Sequence, residues 1–139
     1  MSEQQNIEFV QSLYQAFGRG DVPFILSRLA DDVDWIFEGP AILPFAGKRR
    51  GPAQVMQFFQ ALATTQTNQK LTMETLVGQG DVVVGIGRYA ATVKATGKSF
   101  DARVAHYFVI ANGKVTRFED IVDTAAMADA YAGASAAAG

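Results

Sequence analysis

The chain has 139 residues, of which 49% are hydrophobic, and its 12 basic and 14 acidic residues give a formal net charge of -2. A domain of this length buries roughly 70% of its extended-chain surface, so neither a disulfide nor a structural metal is needed for folding. The absence of cysteine excludes thiolate metal sites and a cysteine nucleophile, and the single basic run, residues 48–50, argues against a nucleic-acid-binding protein.

The N-terminal segment, residues 1–6, is polar and lacks the basic and apolar parts of a signal peptide, and no stretch reaches 18 apolar residues. These features predict a soluble, cytoplasmic protein that does not contact membranes. No change in composition marks a domain boundary, so one domain is predicted over residues 1–132. The small-residue segment 133–139 is predicted to be a flexible tail.

The first part of the chain predicts two helices and an extended segment. Apolar residues at spacings of three and four predict an amphipathic helix over residues 5–18. Asp21 is a good N-cap for a short second helix, which is predicted to bury Leu29 and to end at Asp31. An extended stretch over residues 33–38 follows.

A Gly- and Pro-rich loop is predicted over residues 39–52, and it contains an apolar island at residues 42–45. An apolar loop of this length more often covers something than lies free in water, so it is interpreted as a lid or a pocket rim. Pro52 then begins a third helix. The buried face of that helix is predicted to carry Val55, Met56, Phe59, Leu62 and Ala63.

The hydrophobic period changes to two in the second half of the chain, where short Gly-containing turns separate β-rich runs. Gly85 and Gly87 lie on one face and predict a bulge or a bend that curls the sheet. Asp123 can cap a last short helix that ends at Tyr131. The order predicts an α+β domain in which helices fill the concave side of an antiparallel meander. The four predicted strands are residues 69–78, 81–95, 98–111 and 114–122.

The last predicted strand carries an acidic residue on an otherwise apolar face. Alternation places Asp120 on the same side as Phe118 and Val122, and it leaves Glu119 on the opposite, wet side. Burial and neighbouring charges can tune such a carboxylate to exchange a proton near neutral pH. The alternative is a structural Asp that is satisfied by a backbone amide or an Arg.

The strand at residues 98–111 is apolar on both faces, so the pattern leaves its orientation open. Alternation by itself turns the face with His106 toward the core, and the other face can then pack on a second subunit. His106 is the only histidine, and it is interpreted as a packed or interface residue rather than a catalytic base or a metal ligand. The two faces carry Val104, His106 and Phe108, and Arg103, Ala105 and Tyr107, respectively.

Three segments together resemble the nuclear transport factor 2-like superfamily. They are YQAFGRGD at residues 14–21, LADDVDW at residues 29–35, and GKV at residues 113–115 leading to Asp123 and Thr124. The chain is most similar to the SnoaL-like branch, near ketosteroid isomerases, limonene epoxide hydrolases and polyketide cyclases. This resemblance implies a cone-shaped, curved antiparallel sheet that three helices close around an apolar pocket, with dimerisation through the outer sheet face.

The same resemblance implies which family chemistry the chain has lost. Tyr14 falls at the oxyanion-hole tyrosine of ketosteroid isomerases, but Phe37 replaces their catalytic base and Ala105 replaces their protonated acid. The chain is therefore not expected to be a standard ketosteroid isomerase. The isomerase position filled by Ala105 faces the pocket, which implies that Arg103 and Tyr107 face inward too.

Asp120 matches the last-strand aspartate of the epoxide hydrolases, whose Arg-x-Asp pair is replaced here by residues 87–89, GRY. Water activation of that kind would require Arg103 or Asp101 to supply the missing charges. In the site that this comparison implies, Asp120 is the acid or base, Tyr14 an oxyanion donor and Arg103 an electrostatic partner. The predicted ligand-binding wall comprises Trp35, Phe37, Phe58, Phe59, Tyr89, Ala105, Tyr107, Phe118 and Val122.

Three functions are compatible with this pocket. The first is a cofactor-independent isomerase, cyclase or hydrolase that acts on a small hydrophobic metabolite. The second is a ligand-binding module without chemistry, and the third is a dimeric interaction domain with a vestigial pocket. No Gly-rich phosphate loop or metal-ligand spacing is present in the sequence, so neither a cofactor nor a metal is expected. The expected partners are a small hydrophobic molecule and a second copy of the chain.

Overall fold

The computed structural model describes residues 2–138. The described residues form four helices and six strands in an α+β fold. In chain order these are α1 (Glu3–Gly18), α2 (Val22–Ser27), β1 (Leu29–Phe37), β2 (Gly47–Arg50), α3 (Pro52–Thr65), β3 (Gln66–Gln79), β4 (Val82–Val93), β5 (Ser99–Ala111), β6 (Lys114–Val122) and α4 (Thr124–Ala138).

The six strands form a single open sheet in the order β2-β1-β6-β5-β4-β3. The predicted meander is confirmed, because β3 to β6 pair with their chain neighbours in antiparallel fashion. The expectation that the whole sheet is antiparallel is wrong, since β1 pairs with β6 in parallel. A helix and four further strands lie between β1 and β6 in the chain, and a connection of that length permits parallel pairing.

The helices pack against one face of the sheet, as predicted, and enclose the core there. Helix α1 contacts β3 and β4, α3 contacts β1, and α4 contacts β5. The N-terminus of α1 is held by a capping box, in which the Ser2 hydroxyl accepts from the backbone N–H of Gln5. The buried face of α3 is formed by Val55, Phe58, Phe59 and Leu62.

The second helix is shorter than predicted and the first strand is longer. Asp21 caps α2 by accepting from the backbone N–H of Phe24, as expected. The helix ends before Leu29, which begins β1, is buried, and pairs with Val115 of β6. Pairing with the central strand thus extends β1 backward through Asp31, a residue predicted to end the helix.

The loop after β1 covers the core and contains a strand that the sequence did not indicate. Strand β2 pairs with β1 in antiparallel register. Leu43 and Phe45 are fully buried, and Arg49 donates to the Phe45 carbonyl oxygen at 2.8 Å. The interpretation of this loop as a pocket rim fits its buried side chains.

The bulge expected near Gly85 and Gly87 lies on the neighbouring strand. Met73 pairs with Gly87 and Thr75 pairs with Ile86, so Glu74 of β3 is an extra residue. The outer face of the sheet carries exposed apolar side chains, including Val77 at 55% and Ile121 at 59% exposure. The homodimer expected on the outer face stays a prediction, but Val104, His106 and Phe108, which were expected on that face if the protein is a dimeric interaction domain, are buried on the inner face.

The C-terminal helix is longer than the sequence indicated. Helix α4 continues past Tyr131 to Ala138, through most of the segment that was expected to be a tail. Gly139 lies outside the described residues, and the flexibility of the segment stays a prediction. In the described part of the chain, no helix has both the length and the apolar character needed to cross a membrane.

Candidate functional site

A cavity lies between the helices and the sheet. Its wall is mostly aromatic and aliphatic, and Tyr14, His106 and Asp120 supply its titratable groups together with Tyr89. Most of the predicted wall residues take part, namely Trp35, Phe37, Phe58, Phe59, Tyr89, Phe118 and Val122.

Strand register brings the polar residues of the wall together. Asp120 of β6 pairs with His106 of β5, and His106 in turn pairs with Gly85 of β4. On the other side, Asp120 pairs with Phe37 of β1. Paired residues on neighbouring strands point to the same face, so Asp120 and His106 lie side by side in one row across the sheet.

Tyr14 reaches this row from helix α1. Its hydroxyl oxygen lies 2.8 Å from Nδ1 of His106, and the two rings stack with their centroids 5.7 Å apart. Gly85 leaves room for the hydroxyl, because a Cβ atom at that position would lie 2.7 Å from it. The missing side chain at Gly85 therefore permits the contact between Tyr14 and His106.

Tyr14 carries its proton at neutral pH. Burial, with a smaller contribution from the negative charge of Asp120, raises the pKa of Tyr14 well above its ordinary value. The protonated hydroxyl is hydrogen-bonded to Nδ1 of His106. The other ring nitrogen of His106, Nε2, lies 3.1 Å from Oδ1 of Asp120.

Asp120 is a nearly buried carboxylate with free hydrogen-bonding capacity. Its side chain is 13% exposed. Oδ1 lies 3.1 Å from His106 Nε2 and forms no hydrogen bond among the described residues. The cavity wall of the described chain also contains no Lys or Arg. The carboxylate is therefore available to a ligand.

Tyr89, by contrast, is fully engaged by protein groups. Its hydroxyl donates to Gln66 Oε1 and accepts from Gln69 Nε2 at 2.9 Å. The same network includes Tyr131, whose hydroxyl accepts from Gln66 Nε2. Burial is the main reason that the pKa of Tyr89 is raised. Tyr89 thus forms part of the wall without offering a free polar group.

The raised pKa values of Tyr14 and Tyr89 predict how the phenols titrate. In the native protein neither should form phenolate near pH 10, whereas both should do so after unfolding in urea. Because the folded state holds these protons more tightly, their contribution to the free energy of unfolding is present below pH 10 and is lost as the pH rises above it.

Absorbance at the phenolate band during an alkaline titration checks this expectation. In the native state, Tyr14→Phe should show the same rise in phenolate absorbance near pH 10 as the wild type. In the unfolded state its rise should be smaller, because one of the four tyrosines is missing. A smaller native change in the variant would contradict the buried, protonated state of Tyr14.

Three residues that the resemblance placed in the pocket lie elsewhere. Arg103, Ala105 and Tyr107 occupy the outer face of β5, and the inward positions belong to Val104, His106 and Phe108. Arg103 is exposed and donates to Glu74 Oε2 at 2.7 Å. The resemblance misplaced β5 by one residue, and a shift of one reverses the two faces of a strand.

Two expected roles change with this geometry. Arg103 cannot be the electrostatic partner of Asp120 from the opposite side of the sheet, and Asp101 is paired with Arg88 on that side. The paired charges needed for water activation are therefore not assembled. The Tyr14 hydroxyl, expected as an oxyanion donor, is hydrogen-bonded to Nδ1 of His106.

His106 is the residue whose importance sequence reasoning underestimated. It is 6% exposed and joins Tyr14 to Asp120. Alternation along β5 had already turned it toward the core, and the inward position expected for Asp120 on β6 supplied a second signal. A lone polar residue on the same inner face as the Asp120 carboxylate is the pattern that indicates a shared site.

A second depression adjoins the cavity near the end of α1 and the start of β3. The two share wall residues, and Lys70 is the basic residue that lines the second depression. The shared residues are Tyr14, Phe17, Phe59, Leu62 and Leu71.

No group of three or more His, Asp or Glu side chains capable of holding a metal occurs in the part of the chain that the structure describes. The expectation that the protein uses neither a metal nor a cofactor stays a prediction.

Comparison with known proteins places this geometry in a family context. A family model described as the SnoaL-like domain matches residues 10–118. An uncharacterized protein of Mycobacterium tuberculosis is 26% identical over 132 residues, which cover 94% of this chain and 98% of that protein.

Solved structures agree with this match. An NTF2-like protein of unknown function from Burkholderia pseudomallei has a TM-score of 0.85 and 30% identity, covering 94% of this chain and 98% of that chain. TerC, co-crystallized with polyporic acid, has a TM-score of 0.82 and 28% identity, covering 91% of this chain and 98% of that chain. The expected fold and the resemblance to NTF2-like and SnoaL-like proteins are confirmed.

Proposed function

Because the chain belongs to the SnoaL-like domain family, we propose that it is a cofactor-independent isomerase or cyclase that moves a proton on a small hydrophobic carbonyl compound. The observation that carries this proposal is the Asp120 carboxylate, which borders an aromatic cavity and has an oxygen without a hydrogen-bond partner among the described residues. The similar fold of TerC, which was co-crystallized with polyporic acid, supports a small-molecule ligand.

In the proposed reaction, Asp120 removes a proton from the carbon next to the carbonyl group. The carbon–hydrogen bond breaks, the new bond forms at the carboxylate oxygen, and the electron pair moves into an enolate. An isomerase then returns the proton to another carbon of the conjugated system. In a cyclase the enolate carbon instead bonds to a second carbonyl carbon, whose oxygen takes the proton.

His106 and Tyr14 act as positioning residues in this proposal. The Tyr14 hydroxyl is hydrogen-bonded to Nδ1 of His106, and Nε2 of the same ring lies 3.1 Å from Asp120. These contacts hold the carboxylate in position at the cavity wall. The aromatic wall excludes water and accommodates a flat, hydrophobic ligand.

Proton exchange with solvent tests the proposal without knowledge of the natural substrate. The probes are 2-tetralone and 2-indanone in D2O, with deuterium at the carbon next to the carbonyl followed by NMR. The wild-type protein is expected to accelerate exchange of at least one ketone by about a hundredfold or more over buffer, the lower range for a positioned general base. Failure to bind either ketone would contradict the proposed ligand class.

A ligand-binding module is the second candidate, and one observation favours it. Phe37 pairs with Asp120 and lines the cavity, so the position at which the resemblance implies a catalytic base is apolar. Ketone binding with exchange no faster than in buffer would support this function and overturn the enzymatic one.

A further inference from the structure

The indole of Trp35 carries a buried hydrogen-bond donor that the protein does not use. Trp35 is 4% exposed, and its Nε1 has no hydrogen-bond partner among the described residues. Leaving a buried N–H unpaired costs free energy, so natural structures usually satisfy such groups with protein, water or ligand. Trp35 also forms part of the cavity wall.

The neighbours of the indole explain why no protein acceptor reaches it. Its ring lies against Phe118 with the centroids 4.1 Å apart, and it meets Phe58 and Phe59 at 5.6 Å each. These side chains offer no oxygen or nitrogen. A molecule in the cavity can bring the acceptor that these side chains lack.

Strand register places this donor near the proposed base. Trp35 pairs with Phe118, and Asp120 follows two residues later on the same face of β6. Strand spacing and rise then put the Cα atoms of Trp35 and Asp120 about 8 Å apart. One small molecule can contact both side chains.

The proposed chemistry needs a donor at this place. Removal of a proton next to a carbonyl group leaves negative charge on the carbonyl oxygen, and a preorganised N–H or O–H stabilises it. The Tyr14 hydroxyl is hydrogen-bonded to His106, and the described wall carries no Lys or Arg. Trp35 lies on the same wall, and no described residue accepts a hydrogen bond from its N–H.

We propose that the Trp35 indole N–H binds the carbonyl oxygen of the ligand and stabilises the enolate oxygen that forms when Asp120 takes the proton. This inference rests on the proposed function for its catalytic part, whereas its binding part requires only a carbonyl compound in the cavity. Trp35 thereby selects ligands whose carbonyl oxygen and acidic C–H bond span the distance to Asp120.

The test uses the fact that Trp35 is the single tryptophan. The protein therefore has one indole N–H signal in a proton–nitrogen NMR spectrum. Addition of 2-tetralone to the wild-type protein should move this signal downfield, as hydrogen bonding to an oxygen does. Tetralin, which has the same ring skeleton without the oxygen, should bind without that downfield shift.

A variant adds a quantitative check. Trp35→Phe is expected to weaken 2-tetralone binding about three- to tenfold more than tetralin binding, the range for one lost neutral hydrogen bond. Binding is followed by the shifts of the Leu13 and Val122 methyl groups, which also line the cavity. Equal losses for the two probes would overturn the proposal.

The wild-type spectrum keeps the test decisive even if the variant folds poorly. An indole signal that stays in place while 2-tetralone is bound would overturn the inference and would indicate that the N–H faces the Phe58 or Phe59 ring. A downfield shift without deuterium exchange would contradict the proposed function and leave the binding role of Trp35 intact. Deuterium exchange without the downfield shift would support the proposed function and contradict the binding role of Trp35.

Discussion

Replacement of Asp120 by Asn is expected to slow ketone proton exchange by about 10²- to 10⁴-fold, which is the usual contribution of a positioned general base. The amide keeps the shape of the side chain but cannot accept a proton at neutral pH. Ligand affinity should stay within about tenfold, since at most one hydrogen bond changes. Deuterium exchange and methyl chemical shifts measure the two effects separately on the same sample.

The neighbouring residue supplies the matched control. Glu119 is next to Asp120 on β6, pairs with Arg117 and faces the outer side of the sheet. Glu119→Gln makes the same chemical change outside the cavity and should leave exchange unaltered. Equal exchange rates in the wild type and Asp120→Asn would remove the carboxylate from the proposed mechanism.

The substitution Gly87→Ala is expected to lower the free energy of unfolding by about 3 kcal/mol, at the upper end of the cost of overpacking. A Cβ atom at Gly87 would lie 2.2 Å from the Thr72 carbonyl oxygen and 2.8 Å from the Met73 Cα. Both are backbone atoms of the bulged strand β3, so relief requires the paired strands to separate. Urea unfolding gives the difference in free energy.

Gly18 provides a control of opposite sign. It ends helix α1, and a Cβ atom there would meet nothing within 4 Å. Gly18→Ala should therefore stabilise the protein by about 0.5 to 1 kcal/mol, because alanine loses less backbone freedom on folding. If Gly87→Ala lowers the free energy of unfolding by no more than about 0.5 kcal/mol, strand β3 moves to accommodate the added Cβ atom. That result would contradict the tight approach of the two strands.

Much of the fold could be predicted from hydrophobic period and turn residues. The strand at residues 114–122 has the predicted limits, and the helix beginning at Pro52 was placed correctly. The end of α2 was predicted wrongly, because no local sequence signal indicates that Leu29 pairs with Val115. Long-range pairing decided where β1 begins.

The aromatic wall and Asp120 were also accessible from alternation, since each residue lies on a strand or helix with one clearly apolar face. Strand β5 was different, because both of its faces are apolar and period two then allows either orientation. The resemblance selected the wrong one and placed Arg103 in the pocket. Pairing of His106 with both Asp120 and Gly85 determines the orientation in the folded protein.

The sequence by itself determined the α+β class, the curved meander, the apolar cavity and the buried carboxylate, because these depend on local periodicity and on the supply of apolar side chains. The tertiary structure alone decided that Tyr14 is hydrogen-bonded to a histidine 92 positions away and that the Trp35 N–H has no partner among the described residues. Both outcomes depend on ångström-scale packing between elements distant in the chain, to which hydrophobic pattern is insensitive.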